Sequence, residues 1–394
     1  MGSGGGQALI EPDLDEECTV DPRADDWVEG THEEGTGSEV IFGGATVLLR
    51  ILVDDGFRLV AGRVSATGFD WGEPISFGAE VTFDAWGVDP DGEEALFVYT
   101  EQGTRKSRYF TSSSGTWSAA TPLQAELQGG GIALTMLPGQ RALLVHAGEL
   151  RQIEERVVGS PISIPDYFGK LFRSSATQTA QYYEPSLVDE PHHRVEYTWG
   201  VGYGSVGDLP AFVATDTTWA TASFETAAGV GVRIVSLWAA AAKRGLYVHT
   251  RRNGSWDAGT RLTDYAFDGD YLPSFSQAGT DLLFVDAGDD NLQVRTSSAS
   301  GWNTAEALPR SRAVEFIGAA GDVAGGALVV GDQTITAENV RTTKLYRRNA
   351  AGTWLCPRLL PQRQTTRVLS DDQGNYLIVG SAYQEPLQFW WLTK

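Results

Sequence analysis

Four segments of the chain repeat one pattern: Tyr109-Phe-Thr-Ser-Ser-Ser-Gly-Thr-Trp117, Tyr247-Val-His-Thr-Arg-Arg-Asn-Gly-Ser-Trp256, Val294-Arg-Thr-Ser-Ser-Ala-Ser-Gly-Trp302 and Tyr346-Arg-Arg-Asn-Ala-Ala-Gly-Thr-Trp354. Each runs from an alternating stretch into a glycine turn. A Trp follows, then small polar residues ending in leucine (Leu123, Leu262, Leu308 and Leu359). Alternation into a Gly turn and out again is the signature of a β-hairpin. Trp71 fills the same slot through Gly68-Phe-Asp-Trp71, and Trp27 fills it more weakly through Asp25-Asp-Trp27.

The spacing sets the architecture. Successive Trp positions lie 44 (27 to 71), 46 (71 to 117), 46 (256 to 302) and 52 (302 to 354) residues apart. The gap from Trp117 to Trp256 is three such periods, so two repeats there have lost their Trp. One is Arg156-Val-Val-Gly-Ser-Pro-Ile-Ser-Ile164, and the other lies between Leu209 and Thr215. A period near 46 in a β-rich chain is that of a four-stranded propeller blade. Continuous apolar runs suit second strands buried on both faces. They occur at Ala45–Leu52, Ala95–Thr100, Ala142–His146, Val195–Gly200, Val232–Trp238, Leu282–Val285, Ala327–Gly331 and Tyr376–Gly380.

Both markers predict an all-β propeller of eight four-stranded blades, the alternative being seven. After Trp354 the chain supplies three strands and stops, so the expectation is closure by pairing of the amino- and carboxy-terminal strands. Residues 1–20 read as an acidic, glycine-rich leader and 21–394 as one propeller domain. For Cys18 and Cys356 two readings stand: unpaired thiols, or a disulfide stapling the closing segment to the neighbouring blade.

Composition removes several function classes. With 51 acids against 30 bases the chain carries −21, which repels phosphate backbones and argues against nucleic-acid binding. Twelve of the acids, with Arg23 as the one base, fall between Glu11 and Glu39. The most apolar stretch, Ser223 to Ala242, is interrupted by Glu225 and Arg233, so no membrane span is expected. The first ten residues lack a basic region followed by an apolar block. The chain as written therefore reads as cytoplasmic, or as extracellular if a signal peptide has been removed. A monomer is expected.

The Ser-Gly-Thr-Trp hairpins resemble the repeats of sialidase-like (BNR) and lectin-type β-propellers, over five of the eight predicted blades. The sialidase turn is an Asp box, Ser-x-Asp-x-Gly-x-Thr-Trp. Ser112-Ser-Ser-Gly115-Thr-Trp117 lacks its Asp and is one residue shorter between Gly and Trp. The hairpins look closer to lectin-like propellers, whose blades carry Arg-x-x-x-Gly-x-Trp. WD40 repeats do not fit, because Trp256-Asp257 is the one such dipeptide and no Gly-His pair occurs.

Site candidates follow from what breaks the repeat. The recurring Trp residues read as packing between blades. The non-repeating residues Trp86, Tyr182, Tyr183, Glu184, His192, His193, Trp199 and Trp238 read as ligand contacts on one face of the ring. Tyr182-Tyr-Glu184 has the Tyr and acid that a sialidase uses as nucleophile and base, but three converging arginines are not evident. Adjacent His192 and His193 would point opposite ways on a strand, so no metal is expected. No nucleophile elbow, phosphate loop or HExxH motif occurs, and no cofactor is expected. The leading reading is a non-catalytic, lectin-like binding or scaffold propeller whose partner is a protein or glycan. The alternative is a sialidase-like glycoside hydrolase or lyase.

Overall fold

Alternating and continuous apolar runs cut by glycine turns leave little room for helix. Among the residues described by the computed structural model, one 3-10 turn at Ala125–Leu127 is the helical content. Those residues are 18–19, 27–32, 39–164, 170–173, 178–183, 193–204, 207–208, 217–225, 230–238, 244–264, 275–278, 281–287, 291–298, 301–312, 314–321, 326–335, 340–349, 351–360, 365–371, 373–380 and 386–392. No helix among them is long and apolar enough to cross a membrane.

The described strands form eight antiparallel sheets, each drawn from one stretch of chain. Sheet 1 lies within 39–78, sheet 2 within 81–122, sheet 3 within 132–163 and sheet 4 within 170–208. Sheet 5 lies within 217–261, sheet 6 within 275–307, sheet 7 within 314–360 and sheet 8 within 365–392. Inside each sheet the strands pair in chain order, the up-and-down pattern of a propeller blade. Sheet 8 also takes the distant strand Val28–His32, which pairs with Leu387–Leu392 in the register Val28↔Trp391 to His32↔Leu387.

The Trp-polar-Leu motif has a direct structural meaning. In sheet 2 the outer edge is broken, with Thr116–Trp117 and Thr121–Pro122 both pairing with Thr104–Thr111. The polar residues between them bridge the break, and Leu123 then turns into the core. Sheet 1 repeats the arrangement with Gly68–Trp71 and Ile75–Gly78 on Gly56–Ser65.

Seven of the eight apolar runs expected as second strands occupy that position. Val195–Gly200 does not: His193–Thr198 is the third strand of sheet 4, and Gln178–Tyr183 is the second. The confusion has a physical source. Val195 and Tyr197 are as buried as second-strand residues elsewhere, whereas Gln178-Thr-Ala-Gln-Tyr-Tyr183 is too polar to read as a strand buried on both faces.

The core lies in the seams between sheets. Val47 and Leu49 of sheet 1 pack against Leu377, Phe389 and Trp391 of sheet 8. Phe57 and Phe77 of sheet 1 meet Phe97 and Tyr99 of sheet 2, with Phe57 stacked on Phe77 at 4.8 Å. Sheets 2 and 3 share Leu96, Tyr109, Met136 and Leu144. The recurring Trp residues sit in these seams: Trp71 between sheets 1 and 8, Trp302 between 5 and 6, and Trp354 between 6 and 7.

Phe389 is fully buried, with its ring 5.0 Å from Trp71 and 5.5 Å from Phe69. Phe389→Ala opens a cavity across the sheet 8–sheet 1 seam and is expected to lower the unfolding free energy by about 3–5 kcal/mol in urea titration. A loss below about 1 kcal/mol would show that this seam does not hold the fold.

Candidate functional site

Sheet 3 departs from the repeat at its outer hairpin. Among the described two-residue turns in which both residues have positive φ, Gln102-Gly103, Ala147-Gly148 and Asn253-Gly254 place glycine second. Only glycine adopts that conformation without steric penalty, which is why such turns favour it. Between Glu149–Glu154 and Val157–Val158, however, the turn is Glu155-Arg156, with φ of 48° and 68°. Two non-glycine residues in the left-handed region cost about 1–2 kcal/mol each.

The strain presents Arg156 to the neighbouring sheet. Its Nε and Nη2 donate to Glu94 Oε1 at 2.8 and 2.5 Å, and Nη2 also donates to Thr111 Oγ1 at 2.8 Å. The guanidinium lies 5.2 Å from the centre of the Tyr109 ring. The Glu94 side chain is 2% exposed and that of Arg156 40% exposed, so a buried carboxylate anchors a cation that still reaches solvent. Burial, reinforced by the charge of Glu94, pushes the Tyr109 hydroxyl up to about 12. Val157, the next residue, is 69% exposed. The result is a notch in the sheet 2–sheet 3 seam where a fixed, partly exposed guanidinium caps a buried aromatic ring and Val157 stays exposed beside it.

The turn Asp89-Pro-Asp-Gly-Glu93 supports Glu94 from behind. Asp89 N–H donates to the Glu94 carbonyl at 2.9 Å, and Asp89 Oδ1 accepts the Glu93 N–H at 2.9 Å. Asp89 is fully buried, and burial raises its carboxyl to about 6 despite backbone donors at Glu93 and Glu94. The turns joining first and second strands in sheets 8, 1 and 2 converge here. Gln373 Nε2 donates to the Pro90 carbonyl at 3.2 Å, and a side chain at Gly44 would collide with the Asp91 carbonyl.

Related pairs mark other seams. Arg251 of sheet 5 bonds Glu196 of sheet 4 at 3.2 Å. Arg141 of sheet 3 lies 5.3 Å over the Trp199 ring of sheet 4. Arg358 of sheet 7 stands 3.6 Å from Glu29 and 5.9 Å from the Trp27 ring. A cation set on an acid or an aromatic ring therefore recurs between neighbouring sheets.

The residues singled out from sequence do not form one cluster. Trp86 packs between sheets 1 and 2, edge-on to Phe83 at 5.5 Å. Trp199 is half-buried against the sheet 3–sheet 4 core, at the end of sheet 4 that carries the third-to-fourth turn. Tyr183 pairs with His193 in register, and Tyr182 with Arg194, at the opposite end of the same sheet. Five residues of extended strand separate the two ends, roughly 17 Å. Trp238 ends its strand on the second-to-third side of sheet 5. The side chains of Tyr182, Tyr183, His193 and Trp238, and all of Glu184 and His192, lie outside the described residues.

Sequence reading passed over Arg156, Glu94 and Tyr109. The usable signal was the hairpin itself: where other repeats keep glycine before the outer strand, this one has Glu155-Arg156. Among the described residues no group of three or more His, Cys, Asp or Glu is arranged to hold a metal.

No family model matches the sequence, and no curated protein matches it. Solved structures do. The WD40 domain of SCAP from fission yeast aligns over 96% of this chain and 98% of its own at 10% identity, with a TM-score of 0.55. The BP39L lectin from Burkholderia pseudomallei aligns over 84% of this chain and 100% of its own at 13% identity, with a TM-score of 0.46. The β-propeller domain of the Trilobed protease from Pyrococcus furiosus aligns over 80% and 93% at 8% identity, with a TM-score of 0.46. At such identities the likeness concerns the fold, an all-β propeller, and it does not single out sialidases.

Asp89 makes a pH signature. Its carboxyl is raised in the folded state, so the proton it binds stabilises the fold below the unfolded carboxyl value near 4. That contribution is lost as pH rises through about 6. Asp89→Asn keeps an acceptor for the Glu93 N–H but does not titrate. In unfolding titrations from pH 4 to 7 the wild type is expected to lose stability relative to Asp89→Asn as pH rises. Parallel profiles would refute the assignment.

Proposed function

We propose that the eight sheets are the blades of one ring, closed where Val28–His32 joins sheet 8, and that the ring is a non-catalytic binding module for a glycan or protein partner. Supporting one ring, apolar clusters join sheets 1–2, 2–3, 3–4, 5–6, 6–7, 7–8 and 8–1, and Arg251 of sheet 5 reaches Glu196 of sheet 4. A propeller fold by itself carries no function, so the reading rests on a site.

The observation that carries it is Arg156. A left-handed arginine in a slot where glycine would be free of strain, tied to a buried glutamate beside an aromatic ring, is expensive unless the guanidinium is used. The guanidinium edge can donate to hydroxyl or carboxylate oxygens, and the exposed Val157 beside it offers apolar contact. That combination suits a polyhydroxylated or mixed polar–apolar surface. The alternative of a sialidase-like hydrolase rests on Tyr182, Tyr183 and Glu184, whose side chains lie outside the described residues. Tyr109 does not add a nucleophile to it, because burial beside Glu94 holds its hydroxyl protonated.

A glycan array and a partner pull-down with the full chain, run in parallel on Arg156→Ala, test this reading. Loss of a bound partner by tenfold or more in the variant is expected, with the β-sheet circular dichroism retained below a melt that is lowered because Glu94 loses its cation. Equal binding by both proteins would remove the notch from the function, and turnover of an array glycan would replace binding with catalysis.

A further inference from the structure

We propose that the Cys18–Cys356 disulfide is a redox clasp, and that it, not strand pairing alone, keeps Val28–His32 on sheet 8. The two cysteines are joined, Thr19 bridges Leu355, and Cys356 N–H donates to the Thr19 carbonyl at 2.7 Å. The bond therefore fixes the amino-proximal segment to sheet 7, next to the sheet on which its strand docks.

The strand needs that help. Its residues, Val-Glu-Gly-Thr-His, include no fully buried side chain. Val28 packs on the sheet 8–sheet 1 core and the His32 ring meets Trp71 edge-on at 5.2 Å, but both side chains are only partly buried. Trp71 Nε1 donates to the Thr31 carbonyl at 3.1 Å, and Arg358 approaches a largely exposed Glu29. Exposed ion pairs of this kind contribute little.

Connectivity weighs further against the strand. Every other sheet is built from strands close together in the chain, as in sheet 3, where two residues join the third strand to its outer neighbour. Val28–His32 instead meets a strand that begins 355 residues further on (32 to 387). Closing so long a loop costs more chain entropy than closing a hairpin. With the bond made, only residues 19–27 separate Cys18 from the strand, and the effective concentration of the strand at its docking edge rises accordingly.

Both cysteines are half-buried, so thiols can reach them. Opening takes two electrons and two protons. A dithiol attacks one sulfur as thiolate, forms a mixed disulfide and leaves as its own cyclic disulfide, with Cys18 and Cys356 as thiols. Closing passes the two electrons to a disulfide oxidant such as oxidised glutathione, which leaves as two thiols. Release of the strand uncovers the edge of Leu387–Leu392, whose sequence Leu-Gln-Phe-Trp-Trp-Leu would accept another strand.

Hydrogen exchange of the 387–392 amides tests the clasp in the oxidised protein, the dithiothreitol-reduced protein and Cys18→Ser. Amides of Arg141–His146 in sheet 3 serve as the internal control. Expected are about tenfold faster exchange at 387–392 on reduction and in the variant, unchanged protection at 141–146, and recovery after reoxidation of the wild type with oxidised glutathione. Unaltered protection at 387–392 would overturn the proposal. So would equal loss in sheet 3, because the bond would then hold up the whole fold and not one strand.

Discussion

Sheet 1 of this protein has two apolar faces, and neither can be left in water. Val47 and Leu49 point into one seam while Leu48 of the same strand points into the next, and all three are completely buried. A strand of that kind is stable only with a neighbour on both sides. Sheet 1 therefore requires sheet 8 on one side and sheet 2 on the other. Trp71, Trp117, Trp302 and Trp354, which recur beside the glycine turns, pack against clusters shared by two sheets.

Polar groups inside such seams survive only when their partners are built in. The Arg105 guanidinium, 2% exposed, shows the rule: Asp84 accepts its Nε at 3.0 Å, while the carbonyls of Leu127, Gly129 and Gly130 accept its terminal nitrogens. All of these partners are internal, so Arg105 fastens the segment leaving sheet 2 back onto that sheet. Arg156 differs in kind. Its partner Glu94 is equally buried, yet its own side chain keeps two-fifths of its surface in solvent and its backbone is strained. The first arrangement spends its donors on structure. The second retains donor capacity at the surface, and this contrast directs the functional reading to the sheet 2–sheet 3 notch.

The antiparallel pairing of sheet 4 also sets apart two of the residues read from sequence as ligand contacts. Trp199 and Tyr183 sit at opposite ends of sheet 4 because its strands are antiparallel and short, and a few residues of sequence move a side chain from one end of the sheet to the other. Proximity along the chain is a poor guide to proximity in space in a fold made of hairpins.

Sequence alone determined the period, the strand-rich class and the hairpin turns, since alternation and glycine geometry act over a few residues and leave their mark locally. The Trp-polar-Leu motif marked where the outer strands lie, but only the pairing showed that each is broken in two. Sequence alone misread Val195–Gly200, where burial on both faces is shared by second and third strands and carries no label of rank. Only the tertiary structure could decide that Arg156 meets Glu94 across 62 residues, or that Cys18 meets Cys356 across 338. Pairings of that kind depend on how twisted sheets stack against one another in space, and a linear pattern of residues contains no term for that distance.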